Sequence, residues 1–97
     1  MLWVASLIFV GEAENALAEC NEALKEFSGW AGFHRFKAQA LFSLDRTGEA
    51  LSAIEQACRL APNIPFFQEI RAQCLDQLGR TDDAAAARKI GLELKNN

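Results

Sequence analysis

Apolar residues recur along this chain with the three-to-four-residue spacing of amphipathic helices. One such series runs from Phe33 to Leu44, and another runs from Ala50 to Leu60. Two helix-breaking pairs interrupt the pattern: Ser28-Gly29 before the first of these series and Pro62-Asn63 after the second. The pattern predicts an all-α chain with helices over residues 2–10, 13–27, 31–44, 48–60, 65–78 and 82–95.

The apolar pattern repeats at an interval of 34 residues. Identical residues coincide when 32–62 is aligned with 66–96: Phe33 with Phe67, Ala38 with Ala72, Leu41 with Leu75, Leu44 with Leu78, Ala53 with Ala87 and Leu60 with Leu94. A fixed period of this length is typical of stacked two-helix units, which bury their apolar faces against their neighbours. We therefore expect a single domain, 1–97, made of units 1–30 (truncated), 31–64 and 65–97.

The period and several of its residues resemble the tetratricopeptide repeat family. In the middle unit the family's small residue, its tyrosine position, its Ala-x-x-x-Phe pair and its closing proline correspond to Ala38, Leu41, Ala50 with Ile54, and Pro62. The chain departs from the family pattern at His34, where tryptophan is expected, and at Arg88, where phenylalanine is expected. The resemblance implies a right-handed α-solenoid of three antiparallel helix-turn-helix units.

The resemblance also implies a concave groove, lined by the first helix of each unit, that binds a peptide or a partner protein. Carried over by register, the groove residues are Ile8, Phe9, Arg35, Gln39, Phe42, Glu69, Gln73 and Asp76. The lining changes from apolar at Phe9 and Phe42 to acidic at Glu69 and Asp76, which predicts a ligand with an apolar and then a basic segment. Alternatively, the two phenylalanines pack on each other as core.

Some family members clamp a C-terminal carboxylate with lysines, an arginine and asparagines. The corresponding positions here are occupied by Met1, Ala5, Phe36, Phe66 and Ile70. A clamp of that kind is therefore expected to be absent.

The first ten residues are apolar except for Ser6. The run is far shorter than the ~20 residues of a membrane span, and it lacks the basic residues that open a signal peptide. The repeat register favours a first helix over 2–10. Because that helix is apolar around most of its circumference, it predicts a self-association surface, as in a homodimer, or a partner contact through Leu2, Trp3, Ile8 and Phe9. Alternatively, these side chains fold back over the second helix.

Composition narrows the remaining possibilities. The net charge is −3 and the arginines are dispersed, which argues against a nucleic-acid partner. The three cysteines are an odd number at helical positions, so we expect buried free thiols in a cytoplasmic protein. The lone His34 has no evident nucleophile or metal-binding partner. We expect no enzyme activity, no metal, no cofactor and no membrane partner.

Three local features can also be predicted. Thr47 and Thr81 have the residue type of helix N-caps. Glu55 and Arg59 have the spacing of a helical ion pair. The last helix is expected to end the stack with a polar face formed by Arg88, Lys89, Glu93 and Lys95.

These observations favour a non-enzymatic interaction module or scaffold that binds a partner in the groove and self-associates through its first helix. The alternative is a structural self-assembly element, or a fragment of a longer solenoid, with no ligand of its own.

Overall fold

The computed structural model describes residues 13–96. The helices in this range are α1 (Ala13–Glu26), α2 (Ala31–Ser43), α3 (Thr47–Leu60), α4 (Pro65–Gln77) and α5 (Thr81–Asn96). The described residues contain no strand, so this part of the chain confirms the predicted all-α class. All five helices begin and end within one residue of the predicted bounds. The predicted helix 2–10 lies outside the described residues.

Each helix packs against the helix that follows it in the chain, and α2 also contacts α4. The core between them is rich in small side chains. Its largest fully buried side chains are Leu41, Ile54, Leu75 and Cys74, and its alanines include Ala38, Ala50, Ala57, Ala72, Ala84 and Ala87. Small residues at these positions let the helix axes approach closely while larger ones fill the space between the helices.

The turns between α2 and α3 and between α4 and α5 have the same backbone geometry. In the first turn Asp45 has a positive φ of 63°, and the Arg46 N–H donates to the Leu41 carbonyl at 2.9 Å. The equivalent values in the second turn are a φ of 78° at Gly79 and a distance of 2.8 Å from the Arg80 N–H to the Leu75 oxygen. This is the Schellman arrangement, which ends a helix with a residue in the left-handed region.

The prediction that Thr47 and Thr81 are N-caps is wrong. Helix α3 begins at Thr47, its N-cap is Arg46, and no side chain caps it. In the second turn the Arg80 carbonyl accepts the first helical bond, from Ala84, at 3.0 Å. The cause is the tight turn, because the residue that completes the Schellman motif of one helix is also the N-cap of the next. The threonines are thereby moved into the first helical turn.

The side chain of the N-cap arginine of each of these helices forms an ion pair with an acidic residue of the same helix. Two ion pairs form, Arg46 with Glu49 at 2.6 Å and Arg80 with Asp83 at 2.9 Å. Both acids lie in the first turn of their helices, where negative charge is favourable for the helix dipole. The exposed pairs therefore stabilise the helix starts modestly.

The predicted Glu55–Arg59 pair is not formed. Glu55 lies instead 3.6 Å from Arg71 of the neighbouring helix α4, and Arg59 donates to Gln56 on its own helix. An interhelical partner is available to Glu55 because α3 and α4 pack together. The repeat register alone does not reveal this contact.

Helix α5 is less polar on its outer side than its sequence suggested. Arg88, Lys89 and Lys95 are exposed, as expected, but Leu92 is 60% exposed and Ile90 is 39% exposed. The helix therefore exposes apolar side chains as well as charges, with Ile90 and Leu92 on different sides because they are two residues apart.

Candidate functional site

The predicted groove residues that the structure describes lie on two contacting helices. We call this surface the α2–α4 face, and it consists of Arg35, Gln39 and Phe42 on α2 with Glu69, Gln73 and Asp76 on α4. The spacing of four and three residues places each set along one side of its helix. Gln73 and Asp76 are exposed, and the other four are half-buried. The predicted groove residues Ile8 and Phe9, and the predicted interface residues Leu2 and Trp3, lie outside the described residues.

Arg35 on the α2–α4 face is held by a hydrogen bond and by two aromatic rings. Its Nη1 donates to Gln39 Oε1 at 3.0 Å. Its guanidinium lies 4.2 Å from the ring centroid of Phe36 and 5.2 Å from that of Phe66, which belongs to α4. Partial burial lowers the pKa of Arg35 from its ordinary value. Hydrogen bonding and cation–π contacts thus hold this cation between the two helices.

The acidic end of the face is compensated by cations from α5. Arg88 Nη2 lies 2.5 Å from Asp76 Oδ2, and this hydrogen bond raises the pKa of Arg88. Glu69 lines a shallow depression together with Arg88, Leu92 and Lys95. The charge gradient predicted from the two acids alone is therefore weakened, and with it the argument for a basic ligand segment. Arg88 is also a residue at which the chain departs from the tetratricopeptide pattern.

Phe42 contributes to the core as well as to the surface. Its partly buried ring packs against the cluster of buried residues that joins the helices. Packing against the core agrees with a core role for Phe42, whereas the pairing of Phe42 with Phe9 stays a prediction. Phe9, the predicted packing partner of Phe42, lies outside the described residues.

An exposed aromatic cluster that sequence reasoning missed lies at the connection between α1 and α2. The ring centroids of Phe27 and Trp30 are 6.0 Å apart, and those of Trp30 and Phe33 are 5.9 Å apart. Trp30 is 63% exposed and Phe27 is 46% exposed. The sequence signal for this cluster is the interval of three residues between its aromatics. The turn brings the rings together because the Trp30 N–H donates to the Phe27 carbonyl and the Phe33 N–H donates to the Trp30 carbonyl.

His34 contacts the backbone of the turn before α2. Its Nε2 lies 2.8 Å from the carbonyl oxygen of Ser28, to which the ring N–H donates. The contact joins the start of α2 to the preceding turn.

The cysteines are free thiols among the described residues. Cys20 and Cys74 are buried as predicted, whereas Cys58 is only half-buried. Burial raises the pKa of all three thiols, that of Cys74 to about 11. A raised pKa keeps a thiol protonated and weakly nucleophilic near neutral pH.

Residues 13–96 contain no cluster of three or more histidine, cysteine or acidic side chains suited to holding a metal ion. Over the same residues, no helix combines the length and the apolar character that crossing a membrane requires. Comparison with protein-family models and with curated proteins finds no match for this chain. Two described features are candidates for a functional surface: the α2–α4 face and the aromatic cluster of Phe27, Trp30 and Phe33.

Proposed function

We propose that this protein is a non-enzymatic interaction module built as a right-handed α-solenoid of three tetratricopeptide-like repeats. The observation that carries the proposal is the recurrence of one turn geometry, one set of buried alanines and one pattern of surface positions at an interval of 34 residues. Repeated two-helix units of this kind form extended surfaces suited to protein or peptide ligands.

The ligand surface in this proposal is the α2–α4 face. Each position on α2 has its counterpart on α4, since Arg35, Gln39 and Phe42 correspond to Glu69, Gln73 and Asp76. The face combines an aromatic ring, amides and charges. Such a mixture suits a peptide that is positioned by polar contacts and held by apolar ones.

Selection from a phage library of random dodecapeptides tests this function. We expect selected peptides to bind the wild type, and to bind Phe42→Leu and Gln73→Ala about tenfold more weakly or worse. Gln73 is exposed and Phe42→Leu keeps most of the buried apolar volume, so both variants should stay folded. Ser52→Ala, at an exposed position on α3, is the matched control. Failure to select any peptide, or equal binding by all the variants, would refute the assignment of the face.

The proposal includes self-association through the apolar N-terminal residues Leu2, Trp3, Ile8 and Phe9. It rests on their sequence pattern, which would leave a large apolar surface for a second copy to cover.

A structural self-assembly element, or a fragment of a longer solenoid, is the second candidate. The exposed Leu92 on α5 favours it, because a further repeat packed on that side of the helix would cover it. Additional 34-residue units encoded beside this sequence would support it. A chain without them that binds peptides through the α2–α4 face would exclude it.

A further inference from the structure

Among residues 13–96, Arg35 on the α2–α4 face is a cation without a carboxylate partner. Of the other five arginines, all except Arg59 lie within ion-pair distance of a carboxylate: Arg46 of Glu49, Arg71 of Glu55, Arg80 of Asp83 and Arg88 of Asp76. Within residues 13–96, the only polar partner of the Arg35 guanidinium is the uncharged Gln39 amide. A partly buried cation without a counter-ion is favourable to an incoming anion, because its desolvation has already occurred on folding.

The surrounding groups fix how an anion could approach. The rings of Phe36 and Phe66 contact the guanidinium at centroid distances of 4.2 and 5.2 Å. Arg35 donates to Gln39 through Nη1, and the other N–H groups of its guanidinium can still donate to a ligand. Phe66 is 50% exposed, which leaves an apolar surface beside the cation. A carboxylate next to an apolar side chain would match both features.

The charges farther along the face do not oppose such a ligand. Asp76 is paired with Arg88, and Glu69 shares its depression with Arg88 and Lys95. The face itself carries one cation and two carboxylates, but Arg88 and Lys95 of the adjacent α5 bring two further cations to its acidic end. With them the local charge balance is positive, although the whole chain has a net charge of −3.

We infer that the α2–α4 face binds an acidic peptide segment, with Arg35 donating to an aspartate or glutamate carboxylate whose apolar neighbour packs on Phe66. This inference rests on the proposed peptide-binding function. It replaces the basic ligand segment expected from Glu69 and Asp76 alone.

The same dodecapeptide library tests the inference. We expect peptides selected on the wild type to be enriched in aspartate and glutamate, and those selected on Arg35→Gln to lose that enrichment. A selected acidic peptide should bind Arg35→Gln about tenfold more weakly or worse, as is typical of losing a charge-assisted contact. Replacing its acidic residue with glutamine should weaken binding to the wild type similarly, and have little effect on binding to Arg35→Gln.

Arg59→Gln is the matched control, since Arg59 is exposed on α3 and also bonds only to an amide, that of Gln56. It should retain the acidic preference. Arg35→Lys keeps the charge but loses the planar fork, and should bind with intermediate affinity. Thermal unfolding of each variant monitors the fold.

The outcomes separate the two proposals. Peptides that depend on Phe42 and Gln73 but show no acidic preference would overturn the role of Arg35 and leave the peptide-binding function intact. An equal loss of acidic preference in Arg59→Gln would also overturn it, because net charge would then explain the preference. Selection of no peptide at all would overturn both proposals.

Discussion

The side chains with the least exposed surface in this molecule are mostly small. Ala38, Ala50, Ala57 and Ala72 are completely buried, and each lies where two helices meet. A few larger residues, such as Leu75, fill the space that the alanines leave. Enlarging a small residue would separate helices, whereas truncating a large one would open a cavity.

Leu75→Ala should lower the free energy of unfolding by about 2–5 kcal/mol, because the leucine is fully buried on α4. Leu92→Ala, on the neighbouring helix, is the control because Leu92 is 60% exposed, and its effect should be below about 1 kcal/mol. Urea unfolding followed by circular dichroism measures both. Equal effects of the two substitutions would contradict the described packing.

Cys74 should make the fold sensitive to alkaline pH. Burial raises the pKa of its thiol from 9.0 to about 11, so the unfolded chain loses this proton at lower pH than the folded chain. The stabilising contribution is complete below about pH 9 and is lost as the pH rises towards 11.

Cys74→Ala places at this position the residue that its repeat counterpart, Ala40, already has. We expect this variant to lose less stability than the wild type between pH 9 and pH 11, measured by urea unfolding at each pH. If the stability of the two proteins fell equally with pH, ionisation of Cys74 would not be the cause of the alkaline loss of stability.

At the scale of elements, the turns inside the two-helix units are the most regular feature. The turns after α2 and α4 use equivalent hydrogen bonds although Asp45 occupies the left-handed position in one and Gly79 in the other. Glycine adopts this conformation without steric cost, whereas a residue with a Cβ does not. The two turns therefore offer a controlled comparison of the same backbone with different residues.

Asp45→Gly should stabilise the protein by up to about 1 kcal/mol, and Gly79→Asp should destabilise it by a similar amount. No atom lies within 4 Å of a Cβ built on Gly79, so the second effect would arise from the backbone and not from a clash. The thermal midpoints of the two variants and of the double exchange provide the measurement. Changes of the same sign in both single variants would disagree with the shared geometry.

The sequence predicted the helices in this range to within one residue because breakers and a fixed period both mark their ends. It mispredicted the caps, since the repeat register does not reveal that Arg46 is shared between two helices. It also could not pair Asp76 with Arg88 or place Arg35 over Phe66, because these contacts join different helices. Local pattern therefore determined the elements, while the charge balance of the candidate site required their three-dimensional arrangement.

At the scale of the whole molecule, stability is expected to be the sum of contacts between neighbouring helices. Each described helix packs mainly against the next, and α2 and α4 touch each other only at a few residues. The ends of such an array matter most, because each end helix has a neighbour on one side only.

Light scattering over a wide concentration range tests the predicted assembly through the N-terminal residues. We expect the wild type to be a dimer and Trp3→Glu combined with Phe9→Glu to be a folded monomer, because charges in an apolar contact oppose association. Leu92→Glu is the control at the other end of the described chain, and it should leave the molar mass unchanged. A monomeric wild type would refute self-association, and a monomer formed by Leu92→Glu would move the interface to α5.

Arg46 and Arg80, each of which ends one helix and begins the next, also determine where new chain termini could be tolerated. Within each unit, residues 44–46 and 78–80 form connections whose backbone groups are bonded to the preceding helix. New termini there would break the end of one helix and the start of the next together. The connections between units, residues 27–30 and 61–64, contain no residue in the left-handed region and so do not form this Schellman arrangement. Circular permutants opened between units should therefore fold, and those opened within a unit should not.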